Sequence, residues 1–330
     1  MNTLNIAVWT VGEHARRNIL PAINKSKGVD LVGIFTRNKD VLASQSKQYG
    51  CHAYNNSDEL LSDSNVEVVY ISSPNALHYE QIEQCLLNNK HVIVEKSALS
   101  SLEETKEIVN LAKSKDLVVM EAFMFLYHRQ FSDLKELIKS EKYGKVLFME
   151  ASFGFPHLSK DDIRYSKHLA GGALNDAGAY TVCAILNLLG SNSELIFSSV
   201  SDDGNHEVDI SGLAIFRNKN IKAICKWIMG ASYKNEIRVW CEYGHIVIDR
   251  AFSKSEDYAT KIQVFHNGVI VEEFTPGLDN HFINMIECFR DNILLTPNSE
   301  QDYDLLPQSR IMQKIRSNSN MAKGSHKNNT

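Results

Sequence analysis

What the sequence lacks narrows its function first. Its six cysteines (Cys51, Cys85, Cys183, Cys225, Cys241, Cys288) are scattered, with no C-x-x-C pair. Most sit in apolar surroundings, where cysteine acts as a small hydrophobe, and the set fits a reducing cytoplasm better than an oxidising compartment. The twelve histidines show no H-E-x-x-H or other metal-ligand spacing, so no metal site is expected. No long basic run occurs before the last few residues, and the net charge is −5, which argues against nucleic acid as a partner. The apolar runs are strand-sized, and the N-terminus enters a strand without a basic and then apolar leader. Neither a membrane span nor a secretion signal is expected.

What is present is globular: 330 residues, 43% hydrophobic and 23% charged, enough for two domains. Residues 1–122 alternate strand and helix. LNIAVW (4–9), VDLVGIF (29–35), VEVVYIS (66–72), HVIVE (91–95) and LVVME (117–121) read as strands, with helices near 12–25, 39–49, 75–89 and 101–115. Two of these strands are too apolar to alternate faces, as expected of central parallel strands covered on both sides. Gly50 reads as a left-handed helix cap, and Ser101 with Glu104 as a capping box. The pattern predicts a doubly wound Rossmann domain.

From 123 to 315 the order changes. A helix near 127–141 and a strand over 145–155 are followed, from 193 onward, by seven strands separated by short polar turns. This predicts an α+β domain on a large, mostly antiparallel sheet, with helices near 279–293 and 302–315 packed on it. Residues 316–330 carry too little apolar content to order themselves.

Two strand ends suggest a nucleotide site. The first βα turn reads T-V-G-E-H-A (Thr10, Gly12, Glu13, His14, Ala15), where a dinucleotide fingerprint has G-x-G-x-x-G/A so that the backbone approaches a pyrophosphate at a helix N-terminus. Thr10 takes the place of the first glycine. The second strand ends in Thr36-Arg37 rather than an acidic residue. A hydroxyl and a guanidinium suit a 2′-phosphate, so NADP(H) is favoured and NAD(H) remains open. Arg37 could equally decorate a loop. Ser72, Ser73, Asn75 and His78 follow the 66–72 strand at the carboxyl edge where open α/β sheets bind ligands, although the hydroxyls and Asn75 could simply cap a helix.

With these residues assembled, the chain resembles the glucose–fructose oxidoreductase / inositol dehydrogenase / MocA family. The family's E-K-P motif looks like Glu95-Lys96-Ser97, with serine replacing proline. Its downstream D-x-x-x-H/Y motif resembles GGALNDAGAY, with Asp176 and Tyr180. FGFPHLSKDDIRYSKHLAGGALNDAGAY (153–180) and GASYKNEIRVWCEYGHIVIDRAF (230–252) resemble the nucleotide-sugar 3-ketoreductase branch. The resemblance implies reduction of a keto group (C3) on a nucleotide-linked deoxysugar with a nicotinamide cofactor. Tyr180 would be the proton donor, Lys96 would stabilise the phenolate form of a group whose ordinary pKa is about 10, and Glu95 would orient the lysine. Asp176, one turn before Tyr180, would bond substrate hydroxyls or hold the site in register. His157, Arg164, Tyr165, Asn175, Tyr233 and Asn235 are candidate substrate contacts. Dehydrogenation of a free sugar, polyol or diol is the alternative, and a non-catalytic scaffold is a second. The resemblance also implies a homodimer or homotetramer built through the C-terminal sheet.

Overall fold

A computed structural model of the chain describes residues 3–294 and 305–318. The chain divides into two compact units, Met1–Met124 with Asn280–Leu306 and Phe125–Asp279 with Pro307–Thr330.

The first unit begins with β1 (Leu4–Trp9), a π-helical turn (Ala15–Ile19) and its continuation α1 (Leu20–Lys25). β2 (Val29–Phe35), α2 (Lys39–Tyr49), β3 (His52–Ala53), α3 (Ser57–Ser62) and β4 (Val68–Ile71) follow. The series ends with α4 (His78–Leu87), β5 (His91–Val94), α5 (Leu102–Ser114) and β6 (Val119–Glu121). The strands pair in the order β3-β2-β1-β4-β5-β6, all parallel. All four residues of β4 are buried, which explains its unbroken apolar run. The connections run outward from β1 on one side and from β4 on the other. Their carboxyl ends therefore open the crevice where doubly wound sheets bind dinucleotides.

Gly50 closes α2 at φ 63° as read, and Asn38, which the sequence reading did not single out, caps it by accepting from the N–H groups of Asp40 and Val41. Ser101 and Glu104 form the capping box of α5.

In the second unit α6 (Arg129–Lys139) leads into β7 (Val146–Phe155), and a π-helical turn (Leu174–Gly178) opens α7 (Ala179–Leu189). Then come β8 (Glu194–Ser201), β9 (Ser211–Asn218), β10 (Ile221–Met229), β11 (Lys234–Cys241), β12 (His245–Asp249), β13 (Ile262–His266) and β14 (Val269–Phe274). They form one sheet in the order β14-β13-β12-β11-β7-β10-β9-β8. Every pairing is antiparallel except β7 with β10. That pair is parallel because α7, β8 and β9 intervene between them in the chain, and the return brings β10 back in the direction of β7.

α7 lies against β7 and β10 and is buried from Ala179 to Leu186, so it is apolar all round. A Cβ on Gly178 would stand 3.0 Å from both the Leu174 side chain and the Trp227 ring; the glycine lets the head of the helix close onto that ring. Phe125, Phe153, Tyr180 and Phe252 gather beside it with ring centroids 5.2 to 6.0 Å apart. Burying each phenylalanine contributes roughly 1.5–3 kcal/mol. Outward positions of the sheet include Phe197, Ile228 and Trp240, which are 51%, 40% and 65% exposed.

The last helices are α8 (His281–Leu294) and α9 (Leu305–Asn318). The sequence assigns a helix near 279–293 to the second domain, but α8 clusters with the first unit. Glu287 accepts from the Lys27 N–H at 2.8 Å, Arg290 donates to the Lys27 carbonyl, and the Phe282 ring meets His14 edge-on at 5.7 Å. An amphipathic period shows that a face must be covered and not by which sheet. Residues 316–318, assigned by composition to a disordered tail, continue α9. The rest of that tail, and 302–304 of the expected last helix, lie outside the described residues.

Candidate active site

In the first unit the nucleotide end is built by loops that leave β1, β2, β4, β5 and β6. Thr10 donates its N–H to the Phe35 carbonyl at 2.7 Å and adopts φ 75°. This is the left-handed conformation that glycine adopts freely and a β-branched residue resists. Gly12 is exposed, and a Cβ there would meet nothing within 4 Å. The turn is therefore open in front of Gly12, with a helix N-terminus behind it, as an approaching pyrophosphate requires. Ala15, at the third fingerprint position, is fully buried, as close strand–helix packing demands. Glu13 is exposed and pairs with Arg17 at 3.4 Å. Thr36 is buried and Arg37 is exposed beside it. The residues present fit a nicotinamide dinucleotide, with Gly12 and the helix start available to phosphate and Arg37 to a further anionic group.

Two expectations for this unit need correction. His78 is fully buried: Nε2 lies 2.9 Å from the Ser73 carbonyl, and Nδ1 lies 3.0 and 3.1 Å from those of Ser97 and Ala98. It ties two loops together instead of facing a ligand, and burial lowers its pKa. Ser73 is also buried, with its hydroxyl on Gln81 at 2.5 Å. Ser72 and Asn75 stay partly exposed at the edge. Glu95 has further partners. Its Oε1 accepts from the Tyr70 hydroxyl at 2.7 Å and lies 2.9 Å from His14 Nε2, so it is tied to β4 and the first helix. Burial would raise its pKa, but His14, Tyr70 and Lys96 outweigh burial and bring it to about 2. His14 therefore serves the carboxylate. The peptide bond between Lys96 and Ser97 is cis.

In this unit Glu121 escaped the sequence reading. Glu121, the last residue of β6 and paired with Val94, accepts the Ala98 N–H at 2.9 Å. The signal was its position: it ends a strand at the same carboxyl edge as Glu95.

In the second unit the guanidinium of Arg164 donates to Asp176 at 2.8 Å and to Asp162 at 3.1 Å. These two carboxylates, Asp176 foremost, raise its pKa despite burial. Arg164, expected to contact substrate, is thus an anchor for Asp176. Asn175 donates to the carbonyls of Ala170 and Gly171 at 2.9 and 3.2 Å and receives Arg316, which commits it to holding the helix start. Asn235 is 5% exposed, takes the Phe252 N–H at 2.8 Å and donates to Tyr233 and Ser253; it bridges strands and leaves nothing for a sugar. The Gly171-Gly172 pair answers its own chain, since a Cβ on Gly171 would strike the Arg164 carbonyl and one on Gly172 the Asp209 carboxylate.

His157 remains exposed, with Nδ1 3.1 Å from the Tyr165 hydroxyl, and the buried Tyr165 ring stacks on His206 at 4.4 Å. His206 carries no sequence signal, because it lies 41 residues from Tyr165 along the chain. Tyr233 is 42% exposed under the Arg250 guanidinium at 4.3 Å. Tyr180 is 7% exposed, with its ring among phenylalanines. Among the described residues no group of three or more His, Cys, Asp or Glu could hold a metal ion, and no helix is long and apolar enough to cross a membrane.

A parallel 3-2-1-4-5-6 sheet with a nucleotide turn, joined to an eight-stranded mostly antiparallel sheet, defines a two-domain dinucleotide-dependent oxidoreductase. Residues 4–123 match the oxidoreductase family with an NAD-binding Rossmann fold, and residues 131–247 match the GFO/IDH/MocA C-terminal domain. The chain belongs to this GFO/IDH/MocA family of oxidoreductases. It is 28% identical over 277 residues to a dTDP-3,4-didehydro-2,6-dideoxy-alpha-D-glucose 3-reductase of Saccharopolyspora spinosa, covering 84% of this chain and 83% of that one. It is 25% identical to the corresponding 3-reductase of Actinomadura kijaniata over 96% of this chain and 95% of the other. The fold is shared with KijD10, a 3-ketoreductase from Actinomadura kijaniata solved with NADP and TDP-benzene, at a TM-score of 0.91 and 24% identity over 96% and 98% of the two chains.

Proposed function

We propose that this protein reduces the C3 keto group of a nucleotide-linked deoxysugar with NADPH. The observation that carries the reading is the extent of the similarity to 3-reductases, which reaches 96% of this chain and 95% of the relative in one case. A bound reduced nicotinamide supplies the hydride that forms the new C–H bond at the carbonyl carbon and is itself oxidised. The protein's part is to accommodate charge: the carbonyl oxygen gains an electron pair and needs a proton. Tyr180 is assigned the donor role, Lys96 stabilises the phenolate left behind, and Asp176, fixed by Arg164, orients substrate hydroxyls. Gly12, Ser72 and the helix start hold phosphate, and Arg37 favours NADPH over NADH.

The test is turnover of 3-keto nucleotide sugars beside free sugars, polyols and diols, after direct titration with NADPH and NADH. Reduction of the nucleotide-linked ketone is expected, with Lys96→Ala and Tyr180→Phe each lowering kcat by about a hundredfold or more, the lower edge of general acid–base effects. Turnover of free sugars alone favours the dehydrogenase alternative. A folded protein that binds neither cofactor would leave only a scaffold role.

Two further assignments belong to this reading. The exposed apolar residues on the outer face of the C-terminal sheet support its burial against a second copy, as a homodimer or homotetramer. The free cysteines, four of them buried, support a cytoplasmic location.

A further inference from the structure

The segment from Glu95 to Ser101 carries Lys96 between strand β5 and helix α5, and several elements fasten it. Its start is paired with β4 through the Glu95 N–H on the Ile71 carbonyl at 3.0 Å. Its end is fixed by Glu104, which accepts from the Ser100 and Ser101 N–H groups at 2.9 and 3.1 Å. Its middle is gripped from two directions. His78 on α4 approaches the carbonyls of Ser97 and Ala98, while Glu121 at the end of β6 takes the Ala98 N–H at 2.9 Å. A carboxylate is an unusual choice for that last tie, since an amide oxygen would accept the same N–H without placing a charge there.

The charge has neighbours. Lys96 and Glu95 both act on Glu121 electrostatically, the lysine favouring its ionised form and Glu95 opposing it. Glu95 in turn is bound by His14 and Tyr70, His78 adjoins the same loop from behind, and Glu104 is occupied with backbone N–H groups. Two carboxylates, at the ends of β5 and β6, therefore lie beside the lysine's loop in different environments. Such pairs separate into one group that stays charged and one that titrates.

We infer that Glu121 is a positioning residue for Lys96: it holds the lysine's loop through the Ala98 N–H and sets a second carboxylate beside that loop. The claim rests on the functional reading above for its catalytic meaning, but not for its geometry. Burial raises the Glu121 pKa and Glu95 adds to the rise; the Ala98 N–H and Lys96 pull the other way, leaving it at about 7. Glu95 is ionised throughout the neutral range, because its own pKa is about 2. Above neutrality the lysine's loop thus has two negative charges beside it, and below neutrality only one.

The experiment follows the Lys96 side-chain resonances of the ligand-free full chain by NMR from pH 5 to pH 9, assigned with Lys96→Arg. Wild type should show an inflection near pH 7 on Lys96. Glu121→Gln, which keeps an oxygen for the Ala98 N–H, should abolish that inflection with an unchanged fold by circular dichroism. Absence of the inflection in wild type, or its survival in Glu121→Gln, overturns the inference. A 13C titration of the Glu121 carboxyl in wild type decides the matter even if the variant folds poorly; a midpoint below pH 5 also overturns it. These readouts need no substrate, so failure to turn over any nucleotide sugar would count against the functional reading and leave the Glu121–Lys96 coupling standing. Where turnover is found, kcat should lose a limb near pH 7 in Glu121→Gln while the KM for cofactor stays within twofold.

Discussion

The hydroxyl of Tyr70 donates to Oε1 of Glu95 at 2.7 Å, across adjacent parallel strands. The same oxygen lies 2.9 Å from His14 Nε2. A carboxylate beside the lysine of the E-K motif is thereby held by the neighbouring strand and by the head of the first helix, which joins the nucleotide turn to the Lys96 loop.

That arrangement makes acid stability depend on Glu95. Its pKa of about 2 lies below its ordinary 4.5, so its contribution is fully present above pH 4.5 and is lost as pH falls toward 2. The difference corresponds to on the order of 3 kcal/mol. Urea unfolding at pH 7 should show Glu95→Gln destabilised by about that amount, with the gap to wild type narrowing steadily between pH 4.5 and pH 2.5. Parallel curves for the two proteins across that range would contradict the assignment.

Thr10 at φ 75° occupies a conformation that costs a non-glycine residue about 1–2 kcal/mol. Thr10→Gly keeps the 2.7 Å N–H bond to Phe35 and removes the steric penalty, against a smaller entropic loss from the freer unfolded chain. A net stabilisation of about 1 kcal/mol in urea is expected. A loss of stability would mean that the threonine side chain makes contacts worth more than its backbone strain.

Arg164 spans Asp162 and Asp176 at 3.1 and 2.8 Å, and the Asp176 side chain is 15% exposed. Arg164→Ala removes the guanidinium from that sheltered carboxylate and should cost about 2 kcal/mol. In a double-mutant cycle with Asp176→Asn, a coupling of about 1 kcal/mol or more is expected, whereas additivity would show that the pair is incidental. Arg164→Lys should recover little, because an ammonium lacks the fork that serves two carboxylates at once.

Arg37, exposed after the buried Thr36, is the residue proposed to set the cofactor preference. Isothermal titration of Arg37→Ala should show NADPH binding weakened about tenfold, the loss of a charge-assisted bond to phosphate, and NADH binding almost unchanged. Equal weakening of both would place Arg37 away from the 2′-phosphate.

The amino-acid order alone marked most elements of this protein, β3 and α3 excepted. Continuous apolar runs mark the covered parallel strands, polar turns mark the antiparallel ones, and Gly50 and the Ser101–Glu104 box mark helix ends within a residue. Each of these signals acts between near neighbours in the chain, so it survives without knowledge of the fold. Tertiary structure alone decided how the polar side chains are used. His78, Ser73, Asn175 and Asn235 lie among site-like residues in sequence but spend their hydrogen bonds on backbone carbonyls and neighbouring loops. Glu121, Asp162 and His206 acquire significance only from groups brought beside them. A side chain's chemistry depends on which distant acceptor, charge or ring the fold delivers to it, and burial then sets the cost of leaving it unmatched.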